Sequence, residues 1–248
     1  MLNQFTSRIT DIIVQAGRLP GYKVHPFETY HYLKRFVPDK HHLTHAKEIY
    51  DIDPARLDKV ADKIIKKHLQ RFAATGAAVG APGGPVAMFG GAVVDIEEYI
   101  RRMFLLTQEL GHVYGVVPNP LTYEESRSPD DYFKAVQPEL LNTMLVSLGG
   151  DGEIATLKAV GTEEEKRERE KLDEELLYQV AVKIAEFVGR KQLKKHATKM
   201  LGRSVPLVGG GINGTLNYYY LNKLGKNMKK HLRKEHDEVR QYFSTQQV

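Results

Sequence analysis

Cysteine is absent from this 248-residue chain. That excludes a disulfide framework, a thiolate metal site and a cysteine nucleophile, and it fits a reducing compartment. Several local signatures of known chemistry are missing too. No Gly-x-Ser-x-Gly elbow and no P-loop occur. No zinc-finger spacing, RNP-type aromatic motif or helix-turn-helix pattern is present, so nucleic acid is not expected as a partner. An export signal needs an unbroken apolar core, and the first twenty residues carry Arg8 and Asp11 in that place. They are expected to form an amphipathic helix, and the protein is expected to be cytoplasmic.

What is present is ordinary in amount and uneven in placement. The chain is 42% hydrophobic and 27% charged, as globular proteins are. The net charge of +5 is modest. It is concentrated in residues 190–203, which hold Arg190, Lys191, Lys194, Lys195, Lys199 and Arg203 with no acid. Residues 162–175 are dominated by Glu, and Lys223, Lys226, Lys229, Lys230, Arg233 and Lys234 follow in the tail. Such runs can be the solvated faces of long helices. The basic stretch at 190–203 also suits anionic lipid, because it runs directly into an apolar segment.

The periodicity is helical. Asp53-Pro54 is a helix start, with Asp as cap and Pro where its missing N–H is harmless. From there Leu57, Val60, Ile64, His68, Phe72, Thr75 and Val79 recur at spacings of three and four. The run meets Pro82-Gly83-Gly84-Pro85, and a second one follows: Val86, Phe89, Val93, Ile96, Ile100, Met103, Thr107, Leu110. Together they read as a helical hairpin with its tip at residues 82–85. Ser128-Pro129 starts a further helix, with Pro138 inside it, that ends at Gly149-Gly150. A helix over about 162–201 and another through Leu216, Tyr220 and Leu224 repeat the plan. The expected fold is all-α, a bundle of long antiparallel helical hairpins with glycine-rich tips. Residues 1–52 are read as an N-terminal helical segment and 53–248 as the main helical domain. The histidine-rich region 22–45, broken by Pro26 and Pro38, is the least legible.

Two stretches carry no charge, residues 72–94 and 205–221. The first has 23 residues, nominally enough to span a bilayer. As a hairpin, however, each arm of about ten residues rises only ~15 Å, about half a hydrocarbon core. Gly76, Gly80 and Gly84 recur every four residues, as do Gly83, Ala87 and Gly91, and Gly210 and Gly214. This spacing puts small residues on one helix face and admits a close neighbour. The tips can therefore pack within the bundle or dip into a lipid interface. Tyr218, Tyr219 and Tyr220 suit either setting.

Ala74-Thr75-Gly76 leads into the glycine run, Asp95 opens a helix over 96–114, and that helix ends in Val113-Tyr114-Gly115. Val205-Pro206-Leu207-Val208-Gly209-Gly210 and Asn217-Tyr218 come later. In order and spacing, over roughly residues 55–230, these resemble the EcsC family of bacterial proteins, named for a protein encoded beside an ABC transporter. The resemblance implies a helical, membrane-associated accessory protein linked to a transporter, and it implies no catalytic residues. The expected partners are an anionic membrane surface, contacted by Lys194, Lys195, Lys199 and Arg203, or a membrane transporter. No cofactor is expected.

The residues that could carry chemistry are few. Gly209-x-Gly211-x-x-Gly214 matches a dinucleotide fingerprint in letters, but a basic helical pattern follows it where a βαβ unit is needed. Glu28-x-x-His31 and Glu109-x-x-His112 have the spacing of helical di-metal sites. His41, His42 and His45 stand close together but lack the intervening glutamate of a metalloprotease. A metal-dependent enzyme on a helical bundle, using Glu109, His112, His41 and His45, is therefore the alternative to a non-enzymatic accessory protein.

Overall fold

A computed structural model describes residues 2–16, 18, 21–37, 43, 45–79, 91–118, 129–150, 173–187 and 209–245. Among them every regular element is helical and there is no strand. The elements are α1 (Leu2–Gln15), α2 (Pro26–Lys34), a 3-10 turn (Ala46–Asp51), α3 (Pro54–Val79), α4 (Gly91–Tyr114), α5 (Pro129–Ser147), α6 (173–187) and α7 (Gly209–Thr245). No helix among the described residues is long and apolar enough to cross a membrane.

Local chemistry sets the helix ends. The Asp53 carboxylate accepts from Ala55 N at 2.9 Å, capping α3. Gly115, at φ +67°, ends α4 with Val116 N bonded to Gly111 O at 3.0 Å. Gly149, at φ +85°, ends α5 in the same way, with Gly150 N bonded to Leu145 O at 2.9 Å. Both are left-handed positions that glycine takes without strain.

The apolar faces read from periodicity are the core. Leu57, Val60, Ile64 and Phe72 of α3 are buried, and so are Ile100, Met103 and Leu110 of α4. Each such side chain contributes ~1.5–3 kcal/mol through burial. α4 is enclosed on nearly all sides by α1, α2, α3, α5, α7 and the 3-10 turn. Leu176, Val180 and Ile184 of α6 face the same core. One continuous apolar cluster joins residues of α1 and α2 to the long helices.

Cross-helix pairs give the directions. Phe72 meets Tyr99 with ring centroids 5.7 Å apart, Lys67 meets Glu109 at 3.3 Å, and Asp58 meets Tyr114 at 2.6 Å. α3 and α4 are therefore antiparallel, as the hairpin reading expects. Residues 80–90, which include Gly80, Gly83, Gly84 and the tip at 82–85, lie outside the described residues. Asp62 meets Lys229 at 2.8 Å and Asp58 meets Arg233 at 3.5 Å, so α3 and α7 are also antiparallel. α7 runs parallel to α4, with Met228 beside Thr107 at 3.6 Å and His236 beside Tyr114 O at 2.7 Å.

At Gly225 α7 comes close to both α3 and α4. A Cβ there would stand 3.1 Å from Ile65 of α3 and 3.4 Å from Leu106 of α4. Gly225→Leu should therefore cost about 1–3 kcal/mol of stability by overpacking, and Gly225→Ala clearly less. Urea unfolding of the two variants checks this, and equal stability of Gly225→Leu and the parent would refute the close crossing.

Candidate functional site

Three polar residues of α4, Thr107, Gln108 and His112, sit deep in the bundle. Gln108 is fully buried and donates from Nε2 to Tyr22 O at 2.8 Å and Phe104 O at 3.0 Å. Its Oε1 accepts from Val24 N at 3.0 Å. One turn on, His112 is also fully buried. Its Nδ1 lies 3.2 Å from Thr29 Oγ1 and its Nε2 lies 2.8 Å from Tyr132 Oη. These contacts fasten α2, the residues before it and α5 to the central helix. Burial pushes the His112 pKa down to about 3, with the Glu109 charge acting upward and His25 downward. The imidazole is therefore neutral across the physiological range.

Glu109 faces the other way. Burial pushes its pKa up, but contacts with His68 and Lys67 outweigh that and hold it below its ordinary value. His68 Nε2 lies 3.4 Å from Glu109 Oε1, and Lys67 Nζ lies 3.3 Å from the same oxygen. The carboxylate forms the inner wall of a cleft of about 210 Å³ between α2, α3 and α4. Glu28, His31, Tyr32, Arg35 and Lys67 are among the groups lining it. The cleft thus holds two carboxylates and two permanent cations, one of which is engaged by Glu109.

The structure brings Glu28, His31 and Glu109 to one cleft, but His112 is not turned toward them. Both its nitrogens are occupied by hydroxyls. His45 starts the 3-10 turn, its backbone N–H donating to Glu48 Oε2 at 3.0 Å. His41 and His42 lie outside the described residues. Among the described residues no group of three His, Asp or Glu is placed to hold a metal ion. Gln108 and Tyr132 escaped the sequence reading. The signal for Gln108 was its position one turn before His112 on the same helix.

Gly76, Gly91, Gly210 and Gly214 belong to one end of the bundle. Phe72 packs against Tyr99, Tyr99 stacks on Phe187 at 5.5 Å, and Phe187 meets Tyr220 at 4.8 Å. This aromatic cluster joins α3, α4, α6 and α7 near the ends that border residues 80–90 and 188–208. Gly76 lies in the last turns of α3, Gly91 opens α4, and Gly210 and Gly214 lie in the first turns of α7. Lys194, Lys195, Lys199 and Arg203 lie outside the described residues. Tyr218 and Tyr219 beside the cluster are 43% and 57% exposed.

Comparison with protein-family models, with curated proteins and with solved structures finds no match.

His112 gives a pH dependence with a definite sign. Unfolded, it binds a proton below about pH 6.5; folded, only near pH 3. The unfolded chain therefore holds the extra proton between these values. Stability falls as pH drops from 6.5 toward 3, by up to about 1.4 kcal/mol per pH unit from this group. Urea unfolding between about pH 7 and pH 5, above the range of ordinary glutamates, should show a shallower loss in His112→Gln than in the parent. Parallel curves would contradict a buried neutral imidazole.

Proposed function

We propose that the protein is a non-enzymatic, peripherally membrane-associated helical protein, an accessory or regulatory partner of a membrane transporter. One end of its bundle contacts the anionic inner face of the cell membrane. The observation that carries this reading is the convergence of helix ends around Phe72, Tyr99, Phe187 and Tyr220. Both uncharged glycine-rich stretches adjoin that cluster in the sequence, and the basic run 190–203 begins three residues after Phe187. Apolar, small and basic residues bordering one end is the composition expected of a surface that meets a headgroup layer. The exposed Tyr218 and Tyr219 add amphipathic rings of the kind favoured at that depth. The resemblance of the glycine-rich segments to the EcsC family supports the accessory role and the transporter as partner.

Flotation with phosphatidylglycerol-containing vesicles tests the reading. At low salt the protein should rise with the vesicles and be released as salt screens the charge. A Lys194→Glu, Lys195→Glu, Lys199→Glu triple variant should stay behind. Gly84→Asp should lose flotation while keeping its melting temperature. Protein that ignores anionic vesicles at low salt defeats the proposal, and a Gly84→Asp variant that unfolds instead assigns the tip to internal packing.

A further inference from the structure

The flank of the bundle carries a second charged surface that the proposed membrane contact does not use. On α3, Arg56, Lys59, Lys63 and Lys66 are all exposed and recur at spacings of three and four. They form one cationic stripe ~15 Å long, with steps of about 4.5–6 Å. Beside it, between α3 and the end of α2, lies a groove of about 410 Å³ lined by Phe36, Arg56, Lys59, Asp62 and Lys63. Phe36 is half-buried and gives the groove an apolar floor. Lys59 lies thirteen residues before Phe72, so the groove is ~20 Å along α3 from the glycine-rich end.

We propose that this groove is a docking surface for an acidic helical segment of a partner protein. The charge pattern selects the occupant. Carboxylates three and four residues apart on a helix share one face, and their spacing along that face repeats the spacing of the α3 cations. The leucine-sized apolar side chains that accompany them on an amphipathic segment have Phe36 to cover. The groove's own acid, Asp62, is held by Lys229 at 2.8 Å. That pairing leaves the cations of the stripe as the dominant charge.

A nucleic-acid strand fits less well for two reasons. Glu28 in the adjoining cleft would repel a continuous phosphate chain, whereas a peptide can answer it with a Lys or Arg. A strand also needs open ring faces on which to stack its bases. Phe36 has Lys63 Nζ over its ring at 4.0 Å and Tyr32 against it at 5.3 Å.

The test uses the full chain and a fluorescent synthetic helical peptide with glutamates at i, i+3, i+7 and i+10 and leucine on the same face. Anisotropy at low salt should show saturable binding that weakens as salt is raised. A matched peptide with glutamine in place of glutamate should bind at least tenfold more weakly. Lys59→Glu with Lys63→Glu should lose at least tenfold in affinity for the glutamate peptide. The same double variant should gain affinity for a peptide with lysines at those four positions, a rescue that a misfolded variant cannot show. No binding of the glutamate peptide at low salt would overturn the proposal. So would equal binding by parent and double variant, or tighter binding of an oligo-dT strand with the same sensitivity to the substitutions.

Discussion

The architecture depends on how closely α3, α4 and α7 approach at one glycine. Ile65 from α3 and Leu106 from α4 both press on α7 at Gly225, where no side chain keeps them apart. Contacts on either side of the crossing are then set by helix rise alone. Toward one end of the bundle come Asp62 with Lys229, Asp58 with Arg233 and Tyr114, and His236 against the Tyr114 carbonyl. Toward the other come Tyr220, Phe187, Tyr99 and Phe72. One end is therefore polar and cross-linked by hydrogen bonds, and the other is aromatic. The polar end is tight enough that Tyr50 stacks on His236 at 4.8 Å and donates to Gly115 O at 2.7 Å.

The central helix carries polar groups that would be costly if left unpaired. Gln108 spends its amide on Tyr22, Val24 and its own helix, and His112 spends both nitrogens on Thr29 and Tyr132. These partners come from the N-terminal 52 residues and from α5, so the N-terminal segment is bound to the core by specific hydrogen bonds as well as by apolar contact. The same arrangement bears on catalysis. A general base must reach a substrate, and His112 is enclosed with no nitrogen to offer. Glu109 does reach a cleft, but as a carboxylate already paired with Lys67 at 3.3 Å. Of the residues that suggested a metal enzyme in the sequence, Glu109 and His112 are engaged in contacts between helices, Glu28 and His31 line the cleft, and His45 starts the 3-10 turn.

Much of the fold was legible because helices were marked at both ends. Asp53-Pro54 capped α3 as expected, Pro129 opened α5, and Gly149 closed it. The apolar repeats of α3 and α4 matched burial residue by residue wherever side chains are described. Two things were hidden. α2 and the 3-10 turn lie between prolines and histidines, without a long period to reveal them, and they form through tertiary contact with α4. Gly225 was passed over because it stands alone in a lysine-rich helix. The search for small-residue spacing favoured Gly76, Gly80 and Gly84, yet the close crossing needs one small residue where two neighbours converge. A repeat identifies a face, whereas a convergence of neighbours is visible only in three dimensions.

The division between the two ends also constrains how charge can be used. Cations on α3 point sideways, about 20 Å along the helix from the aromatic end, and a Debye length of about 8 Å at physiological salt decouples them from anything bound there. A headgroup layer at the aromatic end would therefore leave the flank's field almost unchanged. Acids are not spread evenly to neutralise that field. Asp58, Asp62 and Glu109 are each drawn to a specific cation at a helix contact, which offsets their charge locally. Lys59, Lys63 and Lys66 consequently dominate the exposed face of α3. The ion pairing across helix contacts is thus also what leaves the flank positive.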